Sequence, residues 1–195
     1  VRRASGSARA LVFMFPGGGA QYAGMGAGLY QAESAYRKAF DDALAALPDA
    51  EAAVTRRLVI DAAQWDAPAQ ASATRELEAP AQTLVALFAT EYALAKLFRS
   101  WGAEPDALIG HSMGEYTAAC LAGVMSVQNA MLLVRKRGEL FARIPAGAML
   151  SVSTDCCKAR SACMRVFSAN LIHFSGNAEF CFVLPIVFNP MKNFR

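Results

Sequence analysis

The stretch ALIGHSMGEYTAACLAGV, residues 107–124, constrains the fold more than any other part of the chain. A short apolar run leads into a Gly-x-Ser-x-Gly turn, and a helical pattern begins directly after it, at Glu115. Such a turn is typical of a serine nucleophile that is lifted out of a sheet and placed at the start of the next helix. The pattern predicts strand, strained turn and helix, with Ser112 as the candidate catalytic residue. A glycine-rich turn without catalytic meaning is the alternative.

The backbone after this turn offers a second chemical group. The N–H of Met113 stands at the start of the predicted helix, where the first N–H groups have no partner within the helix. Such a group can donate a hydrogen bond to the oxyanion that forms when a serine attacks a carbonyl carbon. Met113 is therefore a candidate for an oxyanion hole.

Strand-like and helix-like segments alternate over most of the chain. Residues 11–15 form a short apolar run that stops at a proline and is followed by the loop GGGAQ. Helical spacing of apolar residues predicts helices within 33–47, over 80–101 and after the N-cap residue Ser126. Residues 48–80 are rich in alanine, are broken by prolines and support no assignment. This alternation predicts an α/β fold, with helices on the faces of a parallel sheet.

Composition and charge exclude several classes of function. The chain has 195 residues, 55% of them hydrophobic, and a formal net charge of +3. That charge is too small and too scattered to predict binding of nucleic acid. No apolar run approaches the ~20 residues of a membrane-spanning helix. The five cysteines show no spacing typical of a metal site, so we expect no metal and reduced thiols in a cytoplasmic protein.

A basic residue on an apolar helix face is a further candidate. At about 100° per residue, Arg137 falls within the arc of the apolar residues of its helix. These residues are Val127, Ala130, Met131, Leu133, Val134 and Phe141. A guanidinium that faces a core needs an anion, because an unpaired buried charge is costly. An internal Asp or Glu, a side chain that extends to solvent and a bound anion all remain open at this point.

Three segments together resemble one protein family. VFMFPGGGAQYAGMG, GHSMGEYTAACLAGV and RKRGELF followed by GAMLSV occur in the order and spacing of the acyltransferase domain of modular polyketide synthases. That domain is related to the malonyl-CoA:acyl carrier protein transacylases of fatty acid synthesis. The likeness covers roughly residues 11–152, and three ordered motifs are far more specific than one. It implies an α/β fold with a hydrolase-like parallel sheet in a large subdomain and a ferredoxin-like small subdomain.

The resemblance implies a reaction and its partners. Ser112 would be acylated by an acyl-CoA, and the acyl group would then pass to the phosphopantetheine thiol of an acyl carrier protein. Arg137 would bind the free carboxylate of a malonyl or methylmalonyl extender unit, a task that suits a planar, bidentate guanidinium. Neighbouring synthase domains are further partners. Acyl-CoA is implied as a substrate, and no bound cofactor is implied.

The glycine loop and one helix depart from the family pattern. The family's Gly-Gln-Gly-x-Gln is replaced by GGGAQ, residues 17–21, so Gly18 takes the position whose backbone N–H joins Met113 in the oxyanion hole. Gln21 and His111 are expected to line the site. Leu84 stands where the family often has a glutamine, which predicts a change in the lining of the pocket. A plain strand-to-helix loop is the alternative for 17–21.

The general base is missing from the predicted site. The chain has two histidines, His111 and His173. His111 directly precedes Ser112, so its side chain is expected to project away from the nucleophile. His173 is expected to be a strand residue of the small subdomain, because the family's catalytic histidine comes much farther along the chain. We therefore expect weak activity or none from this chain alone, since a serine needs a base.

The domain organisation follows from a change of pattern near residue 147. We assign 1–10 to a linker, 11–146 to the large subdomain and 147–195 to the start of the small subdomain. The tail after about residue 153 is diverged, frame-shifted or truncated, and one sequence does not separate these origins. Two other functions stay open: a serine esterase or thioesterase of the α/β-hydrolase class, and a non-catalytic synthase remnant. The extender unit is not specified by the sequence.

Overall fold

The computed structural model describes residues 10–143, 148–149, 178–179 and 186–188. Its helices in chain order are α1 (Ala27–Ala32), α2 (Ser34–Leu44), α3 (Asp49–Val59), α4 (Ala67–Glu76), α5 (Pro80–Ser100), α6 (Gly114–Leu121) and α7 (Val127–Phe141), with a 3₁₀ helix at Asp61–Gln64. Its strands are β1 (Val12–Phe15), β2 (Ala107–Gly110), β3 (Ala148–Met149), β4 (Ala178–Glu179) and β5 (Ile186–Phe188).

Strands β1 and β2 lie side by side in the sheet. They run parallel, from the pair Val12–Ala107 to the pair Phe15–Gly110, which confirms the predicted α/β fold. Strand β5 pairs with β2 on its other edge and runs antiparallel to it. Because parallel strands end at the same edge of a sheet, the glycine loop after β1 and the serine turn after β2 emerge together.

The described residues fall into two compact units. Residues 10–143 and β5 belong to one unit, whereas β3 and β4, which pair in parallel, belong to the other. Strand β5 falls within the range 147–195 that the sequence assigned to the small subdomain, but it belongs to the first unit, because its backbone pairs with the edge of β2. The predicted boundary after residue 146 and the linker residues 1–9 lie outside the described residues. The division into linker, large and small subdomains stays a prediction.

Helix α5 is the centre of the hydrophobic core. It is buried along most of its length, as expected of a helix that is apolar on nearly all sides. Helices α2 and α7 pack against it. The large apolar residues at helical spacing within the predicted segment 33–47 are buried: Tyr36, Phe40, Leu44 and Leu47.

The segment left unassigned by sequence is helical. Helix α3 buries Leu58 and Val59, and α4 begins at a capped end where the Asp66 carboxylate accepts a hydrogen bond from the N–H of Ala69 at 2.9 Å. Asp66 followed by Pro68 is a helix-start pattern, and the alanine-rich composition obscured it. Within the described residues, none of the helices is both long enough and apolar enough to cross a membrane.

Candidate functional site

The strand-turn-helix predicted around Ser112 is present. Strand β2 ends at Gly110 and helix α6 begins at Gly114. Ser112 has a φ of 54°, and it is the only non-glycine residue with a positive φ in the part of the chain that the structure describes. A side chain in the left-handed region is strained, and such strain concentrates at functional sites. The turn at Ser112 thus has the strained conformation that the sequence predicted, and the role of Ser112 as nucleophile stays a prediction.

The two glycines that flank the turn are required by close backbone contacts. A Cβ atom added to Gly110 would collide with the backbone of Gly114 and Glu115. One added to Gly114 would collide with the carbonyl group of Phe15, at the end of β1. Both positions bring α6 close to the sheet, so the turn projects Ser112 at the edge where the strands end.

The glycine loop passes beside the turn. A Cβ atom added to Gly17 would lie 2.9 Å from Nδ1 of His111 and 3.1 Å from Cβ of Ser112. At Gly18 the nearest atom to such a Cβ is the methyl carbon of Thr83, at 3.7 Å. The structure therefore brings the loop to the serine, and a side chain at position 17 would be forced against both neighbours.

The remaining loop and turn residues have separate surroundings. Gln21 accepts a hydrogen bond from the N–H of Gly19 at 2.8 Å through its side-chain oxygen, so it orders its own loop. The side chain of Met113 is fully buried. Neither the N–H of Gly18 nor that of Met113 donates to another described residue. Both N–H groups are therefore available to an oxygen of a ligand.

Arg137 reaches the serine from helix α7. Its Nη2 donates to Oγ of Ser112 at 3.2 Å, although Arg137 lies on α7 and Ser112 lies in the turn before α6. Gly138 makes this approach possible, since a Cβ atom there would lie 2.8 Å from Cα of Ala81 at the start of α5. The predicted inward position of Arg137 agrees with its partial burial.

Two members of the predicted apolar arc are exposed. Leu133 retains 47% of its accessible surface and Phe141 retains 42%, so this part of the prediction is wrong. The buried face of α7 consists instead of Ala130, Met131, Val134 and Gly138. Leu133 lies at the border of that face and Phe141 on the last turn of the helix, where burial ends.

No acidic partner of Arg137 is found among the described residues. Its neighbour Arg135 pairs with Glu51 at 2.6 Å and with Glu139 at 3.0 Å, and Lys136 pairs with Glu139. Arg137 instead bonds Ser112, and its guanidinium carbon lies over the rings of Tyr116 and Phe141. An internal Asp or Glu partner is thus absent from residues 10–143, and for this half-buried guanidinium solvent and a bound anion are the alternatives that stay open.

The described residues contain one histidine near the serine. His111 is exposed, and its backbone N–H donates to the carbonyl of Phe15 at 3.0 Å. Its ring lies beside the glycine loop. His173 and the tail around it lie outside the described residues. In the described part of the chain, no group of three His, Cys, Asp or Glu side chains is arranged to hold a metal ion.

Several neighbours of the site were not identified from the sequence. Tyr116 follows Ser112 by four residues, and Phe141 follows Arg137 by the same interval. A spacing of four places side chains on one face of a helix, so the spacing within α7 could have predicted the contact of Phe141 with Arg137. Ser112, in contrast, precedes α6, and no local spacing predicts the contact of Tyr116 with Arg137. Thr83, beside Gly18, has no such sequence pattern. Leu84, where the family often has a glutamine, is buried in the core.

A buried carboxyl group lies behind helix α6. Glu91 of α5 is 6% exposed, and the hydroxyl of Thr117 donates to its Oε2 at 2.7 Å. Its Oε1 has no hydrogen-bond partner among the described residues. Burial raises the pKa of Glu91 to about 8, and the bond from Thr117 opposes this rise. Glu91 is therefore mainly protonated at neutral pH, because the neutral carboxyl group costs less free energy in the core than the charged carboxylate.

Comparison with known proteins gives a consistent set of similarities. Residues 12–175 match the family described as "Acyl transferase domain". The non-reducing polyketide synthase crz7 of Cladonia metacorallifera is 38% identical over 147 residues, which cover 74% of this chain and 7% of that synthase. The chain therefore spans a small part of the length of the curated synthases that it matches.

Solved structures give the same result for the fold. The acyl transferase domain of ZmaA superposes with a TM-score of 0.72 and 35% identity, covering 87% of this chain and 38% of that domain. An acyl carrier protein S-malonyltransferase from Vibrio cholerae superposes with a TM-score of 0.58 and 29% identity, covering 71% and 42% of the two chains. The similarity in fold thus extends from an acyl transferase domain to an acyl carrier protein S-malonyltransferase.

Proposed function

This chain belongs to the acyl transferase domain family, in the branch found in polyketide synthases and related to malonyl-CoA:acyl carrier protein transacylases, and from that premise we propose a two-step transfer through Ser112. The serine takes a malonyl or methylmalonyl group from coenzyme A and passes it to the phosphopantetheine thiol of a carrier protein. We also propose that this chain is part of a cytoplasmic synthase and that the neighbouring domains of the synthase are its partners. No bound cofactor is needed for either step.

In the first step, Oγ of Ser112 attacks the thioester carbonyl. A carbon–oxygen bond forms, the carbon–sulfur bond breaks, and the hydroxyl proton ends on the departing coenzyme A sulfur. The N–H groups of Gly18 and Met113 stabilise the negative charge on the carbonyl oxygen. In the second step the carrier thiol attacks the acyl serine by the same chemistry in reverse.

The hydrogen bond between Arg137 and Ser112 is the observation that carries the proposal. Among the described residues, Arg137 has no acidic partner. Its positive charge is therefore within hydrogen-bond distance of the proposed nucleophile and is not neutralised by a neighbouring carboxylate. A guanidinium in that position favours an acyl group that has a carboxylate close to its thioester. Malonyl and methylmalonyl groups have this chemistry, whereas acetyl and longer fatty acyl groups do not.

We expect the reaction to be slow in this chain alone. A positioned general base contributes about 10²–10⁴-fold to such steps, and the chain has only the histidines His111 and His173. His111 is proposed to shape the site rather than to take the proton. Tests therefore need single-turnover conditions, with enzyme in excess over acyl-CoA.

The test is transfer of radiolabelled malonyl from coenzyme A to a purified, phosphopantetheinylated carrier protein. The wild-type chain is expected to label the carrier thiol above the uncatalysed background, and Ser112→Ala is expected to give the background rate. Rapid turnover of p-nitrophenyl esters without malonyl transfer would indicate a serine esterase instead. Binding of the carrier without labelling would indicate a non-catalytic role.

A further inference from the structure

The guanidinium of Arg137 is in contact with two aromatic rings. Its Cζ is 5.3 Å from the ring centroid of Tyr116 on α6 and 5.1 Å from that of Phe141 on α7. Both distances are within the ~6 Å at which a cation is attracted to a ring face. Neither ring offers an oxygen or nitrogen of its own to the guanidinium in these contacts, and the bond to Ser112 is the hydrogen bond that Arg137 makes among the described residues.

No Asp or Glu among residues 10–143 pairs with Arg137 and fixes its position, and the two rings can take over that role. An arginine side chain has many rotamers, and ordering it at a defined position has a large entropic cost. An acidic residue would fix the position but would also occupy the donors. Contact with two ring faces fixes the position of the guanidinium, while only one donor, on Nη2, forms a hydrogen bond with Ser112. The other donors stay available for a carboxylate.

We infer that Tyr116 and Phe141 form an aromatic clamp that holds Arg137 in position beside Ser112 and so favours acyl groups that carry a carboxylate. Both are positioning residues, since they act through the guanidinium. The inference rests on the proposed function for its substrate class. The geometry of the clamp itself does not depend on acyl transfer.

The exposure of Phe141 distinguishes this role from a contribution to the core. Tyr116 is partly buried and packs against the main hydrophobic cluster, so its removal affects folding as well as Arg137. Phe141 keeps 42% of its surface exposed, and substitutions at exposed positions usually change stability little. Phe141→Leu therefore tests the clamp without a large effect on the fold, and Phe141→Tyr retains a ring.

The first measurement compares single-turnover acylation by malonyl-CoA and acetyl-CoA. For Phe141→Leu we expect about a fivefold loss with malonyl-CoA, chiefly as weaker binding, since an exposed cation–π contact is modest. We expect little change with acetyl-CoA and near wild-type behaviour for Phe141→Tyr. Leu140→Ala is the matched control, because Leu140 is adjacent and 49% exposed. Equal losses with both acyl-CoAs would overturn the inference.

The second measurement needs no activity. The Nε–H signal of Arg137, assigned through Arg137→Lys, is followed by nuclear magnetic resonance in the full chain. Ring currents are expected to shift this signal upfield in the wild type, in Leu140→Ala and in Phe141→Tyr, and the shift should be reduced in Phe141→Leu. An unchanged signal in Phe141→Leu overturns the clamp. A changed signal together with no malonyl acylation supports the clamp and contradicts the proposed function.

Discussion

Arg137→Ala is expected to slow acylation of Ser112 by malonyl-CoA by about 100-fold, a loss typical of removing one partner of a desolvated charge pair. Acylation by acetyl-CoA should change only a few-fold, because acetyl has no carboxylate for the guanidinium to bind. The reason is the position of Arg137, 3.2 Å from the serine oxygen and without an acidic partner among residues 10–143. Single-turnover rates followed by intact-protein mass spectrometry give both values.

Arg137→Lys is the matched variant for this experiment. It keeps the positive charge but loses the planar guanidinium, which offers paired donors and whose carbon lies over two rings. We expect a rate with malonyl-CoA between those of the wild type and of Arg137→Ala. Circular dichroism of each variant controls for folding. A parallel loss with both acyl-CoAs in Arg137→Ala would assign Arg137 to the serine alone rather than to a substrate carboxylate.

Glu91→Gln is expected to stabilise the chain at pH 8 by on the order of 3–5 kcal/mol, and to have a much smaller effect at pH 5. Burial raises the pKa of Glu91 from 4.5 to about 8 in the folded chain. Between those two pH values the folded state holds a proton that the unfolded state releases, so wild-type stability falls as the pH rises. Glutamine removes this dependence and can still accept the bond from Thr117.

Urea unfolding at a series of pH values measures the effect. The difference in unfolding free energy between Glu91→Gln and wild type should grow between about pH 5 and pH 8 and then level off. Glu78→Gln is the control, because Glu78 is exposed and its substitution should change stability by about 0.5 kcal/mol or less. Parallel pH profiles for wild type and Glu91→Gln would contradict the buried, protonated state.

Local sequence patterns predicted the elements that present the site. The Gly-x-Ser-x-Gly segment specifies its own geometry, since Gly110 and Gly114 are required by backbone contacts and Ser112 takes the strained φ of 54°. Helical periodicity likewise placed Arg137 on the inward side of α7. Each of these predictions depended on residues close together in the chain.

Contacts between segments that are far apart in the chain were harder to predict from the sequence. Gly138 allows α7 to approach Ala81 at the start of α5, and this approach sets which face of α7 is buried. The sequence wheel could not locate that contact, so it included Leu133 and Phe141 in the core. The hydrogen bond between Glu91 and Thr117 was not predicted for the same reason. The two residues lie on different helices, and their contact depends on how those helices pack.

The most direct measurement maps the site of acylation. The full chain is incubated with excess malonyl-CoA and digested, and the peptide that contains Ser112 is fragmented in a tandem mass spectrometer. We predict a malonyl ester on the Ser112 hydroxyl and no modification of the corresponding peptide in Ser112→Ala. A malonyl group found only on other residues, or equally abundant in Ser112→Ala, would contradict an acyl transfer that proceeds through this serine.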